Sequence, residues 1–498
     1  MNGIILRVLF ATSEAYPLIK TGGLADVSGA LPKAISQIDT FEGDVKIVMP
    51  AYSAVLAKLQ SIKTITTISV LGQTCTLISG NMPDSGINVI AIQNAFLYER
   101  AGGPYSDENG SDWPDNPLRF GVLSRVASLL CSANSPLKNW LPDIIQCNDW
   151  QTGLTPAYMK LLDNSQTKSI FSIHNLAFQG CFDAAWLALL ELPAAHFSMN
   201  GFEYHAQISF LKAGLFYADQ LSTVSPTYAQ EIQTKALGFG LQGLLKTRSN
   251  DLTGILNGID SSEWNPATDA HLYKNFSKSR ITGKHAVKKA LQQQLGLALN
   301  ENAPLLGVVS RLTHQKGLDL LPAILPKLIQ ATPLNPHGCQ FVILGSGDKL
   351  LEASFNDLAD RYPTQVSMNV GYHEHLSHNI MAGSDLFIMP SRFEPCGLNQ
   401  LYGLAYGTPP VVSSTGGLAD SVTDTTELTL KNKTATGFVL KSVTTASLFD
   451  TIERAIAQWQ NKKTWRQIQQ NGMQTDISWD SSAKDYLTLY KKTLLTTG

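Results

Sequence analysis

The chain has 498 residues, two to three times the usual size of one domain, so two core-bearing units are expected. Hydrophobic residues make up 44% and charged residues 16%, the balance of a globular protein with ample apolar surface to bury. A formal charge of −2 gives no basic footprint, which argues against nucleic acid or an anionic membrane as partner.

The apolar run Ile4 to Ala11 is broken by Arg7 and passes into Ser13-Glu14, too short and too quickly polar for a signal peptide or membrane span. It reads as a first buried strand, Ile4 to Phe10. The six cysteines (Cys75, Cys131, Cys147, Cys181, Cys339 and Cys396) include no Cys-x-x-Cys pair, which fits reduced thiols and a cytoplasmic protein better than a disulfide frame or zinc site. Further strands are expected at Val45 to Met49, Asn88 to Ile92, Ile144 to Cys147, Ser169 to Ile173 and Gln220 to Val224. A second series follows at Leu305 to Val309, Gln340 to Leu344, Val366 to Val370, Leu386 to Met389, Pro410 to Ser413 and Gly437 to Val439. Helix-length segments separate these runs, the α/β alternation of parallel sheets. Thr253 to Asp260 lies between the two series and sets the division: a first domain over 1–253, a second over 254–478, and a final helix in 479–498 with Tyr486, Leu487 and Tyr490 as packing residues.

Ligands of open parallel sheets sit beyond the carboxyl ends of the strands, and the residues there are rich in functional groups. Thr21-Gly22-Gly23-Leu24-Ala25-Asp26 recurs letter for letter as Thr415-Gly416-Gly417-Leu418-Ala419-Asp420, each copy between a strand and a helix. Such a turn either brings bare amides and a helix dipole up to an anion or simply makes a tight connection. Arg311 and Lys316 follow one strand and could close on two phosphates, unless they are solvated surface charges. Glu394 could hydrogen-bond sugar hydroxyls and stabilise positive charge on an anomeric carbon, or be a glutamate at a helix N-terminus. Asp149 and His174 are similar cases, each on its own reasonably a structural hydrogen-bonder. Cys396 has no base within its motif and reads as a packing residue rather than a nucleophile.

Three other ligand classes fit poorly. Gly345-Ser346-Gly347-Asp348-Lys349-Leu350 starts like a dinucleotide fingerprint, but Leu350 stands where the third glycine belongs. No glycine-rich stretch closes on Gly-Lys-Ser or Gly-Lys-Thr, so a Walker-type loop is absent. His373, Glu374, His375 and His378 miss the His-Glu-x-x-His spacing, because Ser377 occupies the second histidine place, and no metal is expected.

The strings Lys20-Thr21-Gly22-Gly23-Leu24, Ser391-Arg392-Phe393-Glu394-Pro395-Cys396-Gly397-Leu398 and Ser414-Thr415-Gly416-Gly417-Leu418 resemble the signature motifs of bacterial and plant glycogen/starch synthases. Asp112 to Asn116, Asn148 to Gln151, His174 to Gly180, Leu256 to Asp260 and Arg311 to Gly317 resemble further segments of the same family. The resemblance implies an α/β protein of the GT-B fold, two Rossmann-like doubly wound parallel-sheet domains facing across a cleft, with the last helix packing back on the N-terminal domain. It implies a glycosyltransferase that moves glucose from ADP-glucose to the non-reducing-end 4-hydroxyl of glycogen or a malto-oligosaccharide, with retention of configuration and no metal or other cofactor. By position, Lys20, Gly22 and Gly23 resemble donor-phosphate contacts, Arg311 and Lys316 a diphosphate clamp, and Tyr372 the aromatic that stacks on the base. Asp149, His174, Asn257 and Glu394 match positions around the glucosyl group. Cys396, Gly397 and Leu398 belong to the same motif as Glu394, and Thr415, Gly416 and Gly417 match a second phosphate-contacting turn. Two departures stand out. Tyr402 occupies the place of a second glutamate found in many retaining GT-B enzymes, as it does in bacterial and plant synthases, and Gln151 stands where some members carry a histidine. Gln151 is assigned no catalytic role.

Overall fold

The computed structural model describes residues 5–495, and the chain divides into two compact units, Met1–Asn257 with Trp479–Gly498, and Gly258–Ser478. In the first unit β1 (Leu6–Ala11), β2 (Gly43–Pro50), β3 (Gln60–Val70), β4 (Gln73–Asn81), β5 (Asn88–Gln93), β6 (Ile144–Asn148) and β7 (Lys168–Ile173) come first. A small antiparallel sheet then forms from β8 (Cys181–Asp183), β9 (Glu203–Tyr204) and β10 (Gln207–Ser209), before β11 (Gln220–Thr223) and β12 (Leu252–Gly254). The main sheet runs β12-β11-β7-β6-β1-β2-β5-β4-β3, parallel except for the β5-β4-β3 edge. Strands lie where they are expected, although Ile4 falls outside the described residues. The segment Thr253 to Asp260, expected as a boundary, begins inside the sheet because β12 pairs in parallel with β11.

The closing helix Trp479–Leu495 belongs to the first unit and packs on the helix Gly23–Ser36. Its Tyr486, Leu487 and Tyr490 are buried. Ser482 Oγ donates to the Leu256 carbonyl at 2.6 Å, and the Tyr490 hydroxyl donates to Gln146 Oε1.

The second unit is built on β13 (Leu305–Val309), β14 (Gln340–Gly345), β15 (Val366–Val370), β16 (Leu386–Met389), β17 (Pro410–Ser413) and β18 (Phe438–Leu440), all parallel in the order β15-β14-β13-β16-β17-β18. Counted along the chain this is 3-2-1-4-5-6, the doubly wound Rossmann order. Alternate residues feed two separate cores: Leu306, Val308, Phe341, Ile343 and Ile388 join one, and Leu305, Val309, Val342, Leu344 and Phe387 the other. That explains the unbroken apolar runs of these strands, since helices cover both faces of the sheet. Chain order reverses between β13 and β16 in this unit and between β1 and β6 in the first. Ligand crevices of doubly wound sheets open at such reversals.

Candidate active site

At the reversal of the second unit, the loop after β13 carries Arg311 and Lys316 and the loop after β16 carries Glu394. Lys316 Nζ lies 2.6 Å from Glu394 Oε2, and Ser391 Oγ donates to the same oxygen at 3.0 Å. Gly317 makes this approach possible: it sits at φ 66, and a Cβ there would lie 2.0 Å from the Pro390 carbonyl oxygen. The helix Asn399–Ala405 starts five residues beyond Glu394, so the alternative of a helix-end glutamate does not hold. Arg311 is exposed and its guanidinium makes no hydrogen bond or ion pair among the described residues. Of the two cations on this loop, Lys316 is thus paired within the protein and Arg311 is not.

The second Gly-Gly turn serves the Glu394 loop directly. Gly416 has φ 43, and a Cβ would meet the Glu394 carbonyl oxygen at 2.0 Å, while the Gly417 amide donates to the Glu394 and Pro395 carbonyls at 3.2 and 3.1 Å. Thr415 is buried as the N-cap of the helix Gly416–Ser421. Cys396, Gly397 and Leu398 lead into the next helix. Gln400 Nε2 donates to the Cys396 and Gly397 carbonyls at 3.0 Å each, and Asn399 Nδ2 ties the helix to the end of β13 through the Val309 carbonyl at 2.7 Å. The motif is therefore a scaffold that presses one carboxylate onto the strand ends.

Tyr372 is an exposed ring whose hydroxyl donates to Glu374. Behind it Trp264 is sandwiched between Tyr402 (ring centroids 3.6 Å apart) and His378 (3.8 Å). Both ring nitrogens of His378 face carboxylates, Nδ1 on Asp269 at 2.7 Å and Nε2 on Glu374 at 3.2 Å, and Tyr406 also donates to Asp269. Burial alone would lower the His378 pKa, but the bonds to Asp269 and Glu374 overcome it and raise it to about 9. An imidazolium flat against an indole is a favourable cation–π pair. Glu263, Glu374 and His378 place one potential metal-ligand atom each within 4.8 Å of the others, but a cation there would have to displace the Nε2 proton. His373 stands at the N-cap position of the helix Glu374–Gly383 without a side-chain capping bond, and neither it nor His375 joins this group.

In the first unit the reversal lies between the ends of β1 and β6. Asp149, just past β6, has φ 55 and ψ −176, a conformation essentially confined to glycine. Its Oδ1 accepts the amides of His174 at 2.7 Å and Asn175 at 3.3 Å, so the strained residue also orders the loop after β7. Burial pushes the Asp149 carboxyl up to about 7 against those two amides, and burial lowers the His174 imidazole to about 4, leaving it neutral near pH 7. His174 Nε2 lies 3.0 Å from Asn148 Oδ1. Asn257 is buried, with its Oδ1 unmatched by any hydrogen bond among the described residues.

Glu14 is the residue that motif reading missed. Its buried carboxylate sits past β1, where Oε2 accepts the Thr21 amide (2.6 Å), the Thr21 hydroxyl (2.7 Å) and the Gly22 amide (3.3 Å), and Oε1 accepts the Tyr105 hydroxyl (2.8 Å). The first Gly-Gly turn therefore already holds an internal carboxyl group, and Lys20 pairs with Asp26 at 2.8 Å. Burial raises the Glu14 pKa despite these donors. Space remains open around Gly22. The available signal was its place: Glu14 is the first charged residue after the first strand.

Two doubly wound units in one chain, with cation, carboxylate and imidazole groups gathered at their topological reversals, define a glycosyltransferase of the GT-B class. The starch synthase catalytic domain model matches residues 7–247 and the glycosyl transferases group 1 model residues 291–474. The glycogen synthase of Nitrosomonas eutropha is 49% identical over 97% of this chain and 96% of its own length, and that of Dechloromonas aromatica 49% identical over 99% of both. Among solved structures, the catalytic domain of starch synthase IV from Arabidopsis thaliana, bound to ADP and acarbose, aligns over 99% of this chain and 100% of its own with a TM-score of 0.86 at 31% identity. A sucrose-phosphate synthase from Thermosynechococcus elongatus shares the fold at 16% identity, TM-score 0.57. The chain belongs to the glycogen/starch synthase family. No helix among the described residues is long and apolar enough to cross a membrane.

Proposed function

We propose that the protein elongates an α-1,4-glucan, transferring glucose with retention from ADP-glucose to the non-reducing-end 4-hydroxyl of glycogen or a malto-oligosaccharide. The observation that carries this reading is the Lys316–Glu394–Ser391 cluster at the reversal of the Rossmann unit, with Arg311 uncommitted on the Lys316 loop. ADP and acarbose in the Arabidopsis starch synthase support an adenine nucleotide and a glucan chain as the two ligands.

In this reading Arg311 and Lys316 neutralise the charge that builds on the diphosphate as the bond to the anomeric carbon breaks. Glu394 favours the positive charge left on the glucosyl ring, and the term is electrostatic preorganisation. Asp149, neutral His174 and Asn257 orient glucose hydroxyls, and Tyr372 offers its exposed face to the base. The acceptor 4-hydroxyl attacks the face that the diphosphate leaves, and its proton passes to the departing diphosphate oxygen. Lys20 and the Gly22-Gly23 turn act on the donor by exchanging their internal carboxylate partners for phosphate, and Thr415 to Gly417 support the Glu394 loop from below. Incubation with glycogen and either ADP-glucose or UDP-glucose, reading released nucleotide and labelled polymer, tests the assignment. Polymer growth from ADP-glucose is expected, and its failure with both donors would refute it.

Fixed cations do the neutralising, so turnover requires no divalent metal. Excess chelator is expected to leave the rate nearly unchanged, whereas a loss that Mg²⁺ or Mn²⁺ restores would return attention to Glu263, Glu374 and His378.

A further inference from the structure

A cavity of about 380 Å³ lies in the second unit at the opposite end of the sheet from Arg311 and Glu394. Asp385, immediately before β16, and Glu301 and Asn302, shortly before β13, mark it as an amino-end site. Its walls come from the start of the helix Gly283–Gln294 and from the helices Thr445–Gln460 and Lys462–Gly472. That volume suits a small organic ligand.

The lining is unusually cationic. Lys284, His285, Lys288, Lys462 and Arg466 face only Asp385 and Glu301. Lys288 is committed, with Nζ 2.7 Å from Asp385 Oδ2 and 2.7 Å from the Ala303 carbonyl. Buried Lys284 is committed as well, to the Ala382 carbonyl at 2.7 Å and to Thr408. Burial, with Lys288 alongside, brings the Lys284 pKa down to about 7 although Asp385 opposes this. Neither Lys462 nor Arg466 forms a direct ion pair with a carboxylate among the described residues, and Asp385, already paired with Lys288, acts on Lys462 only at longer range. Lys462 Nζ instead stands 3.2 Å from the Trp459 ring centroid, with Lys288 Nζ 5.4 Å from the same ring. Both helices that open on the cavity lack an acidic residue in their first turn. Cations there oppose the helix dipole, and Lys462 and Arg466, one turn apart, repel each other. Folding thus gathers Lys288, Lys462 and Arg466 around Asp385 and Glu301, an excess of positive charge in a recess partly walled by Ile281, Trp459 and Trp465.

We propose that this cavity binds a small phosphorylated metabolite, with Lys462 and Arg466 on the phosphoryl group and Trp459 beside it, as a site separate from the donor site. A phosphoryl group supplies the compensating charge and accepts hydrogen bonds from both side chains. A recess of this volume takes a phosphoryl group with a small body attached, so the sources to compare are a free oxyanion, a sugar phosphate and a nucleotide.

The test is calorimetric titration of the full-length protein with inorganic pyrophosphate under saturating ADP, so that the donor site is already filled. One binding event is expected, weakened at least tenfold in the Lys462→Met/Arg466→Met double variant. Both side chains are exposed, so the variant should fold, which circular dichroism and melting check. Lys463→Met, which removes a neighbouring charge outside the cavity, should bind as the parent does. Repeating the titration with inorganic phosphate, a hexose monophosphate and AMP ranks the sources. No binding by any of these probes, or equal binding by parent and double variant, would overturn the proposal. The comparison between variants stays readable even if ADP is not the donor nucleotide.

Discussion

Asp149 holds a backbone conformation that costs about 1–3 kcal/mol for a residue with a side chain, and it does so with a carboxyl that burial has already pushed up to about 7. Stability alone would place glycine there. Asp149→Gly should therefore be more stable than Asp149→Ala by roughly 1 kcal/mol or more, because both lose the carboxylate but only glycine relieves the strain. Both should lose turnover. Paired melting curves and initial rates check this, and equal stability would show that the strain is not real. Glu394 gives a second test. Glu394→Gln keeps the shape but releases Lys316, so kcat should fall by roughly 10² while ADP binds as tightly as before or tighter. Unchanged kcat would reduce Glu394 to a structural ion-pair partner. These residues were legible because their motif strings stand at strand ends. Glu14 was not, because one glutamate after an apolar run carries no spacing signal, and its partners Thr21, Gly22 and Tyr105 meet only in the fold.

The helix Glu374–Gly383 depends on partners that no local pattern reveals. Tyr402 is visible in the sequence as a missing glutamate, yet its reason lies in Trp264, which it covers while His378 covers the other side. With a folded pKa of about 9 against an ordinary 6.5, His378 contributes stability that is complete below about pH 6.5 and is lost as pH rises through about 9. Asp269 acts in the opposite sense. Burial would raise its pKa, but His378 and Tyr406 hold it below the usual range, so its contribution is lost as pH falls through that depressed value. The shift sets an upper bound of about 3 kcal/mol for His378. The melting temperature of the parent should drop between pH 6.5 and 9 more steeply than that of His378→Asn; parallel curves would mean that the ring is neutral. Parallel strands other than β12 were legible because helices bury both faces and leave continuous apolar runs, whereas Leu252–Gly254 is too short for such a run. The β3–β4 hairpin was not. Register shifts at Gln60/Lys63 and Thr64/Thr66 break its two-residue alternation, and its turn puts Leu71 at φ 48 where Asn or Asp would have signalled a hairpin.

Across the first unit, the last helix is part of the fold around the site rather than an appendage. From Tyr490 a hydrogen-bonded path runs to Gln146, whose Nε2 lies 3.4 Å from Asn148 Oδ1, and on to His174 Nε2 at 3.0 Å. Trp479, Tyr486, Leu487, Leu489 and Tyr490 are all buried. At about 1.5–3 kcal/mol for each large side chain removed from water, the five contribute roughly 8–15 kcal/mol, an upper estimate. A domain's whole net stability is about 5–15 kcal/mol. Truncation before Trp479 should therefore unfold the first unit, while the second, which has its own two cores, keeps a cooperative melting transition. Tyr490→Phe separates packing from the hydrogen-bond path, because it keeps the ring and removes only the hydroxyl. It should cost about 1 kcal/mol and lower kcat less than tenfold, with KM for the donor unchanged, since Asn148 still faces His174. Calorimetry of the truncated and full chains, with kinetics of the point variant, measures both effects. A truncated chain whose first unit melts as before would show that the helix merely rests on the sheet, and a Tyr490→Phe enzyme as impaired as an Asp149 variant would place the path inside the catalytic machinery.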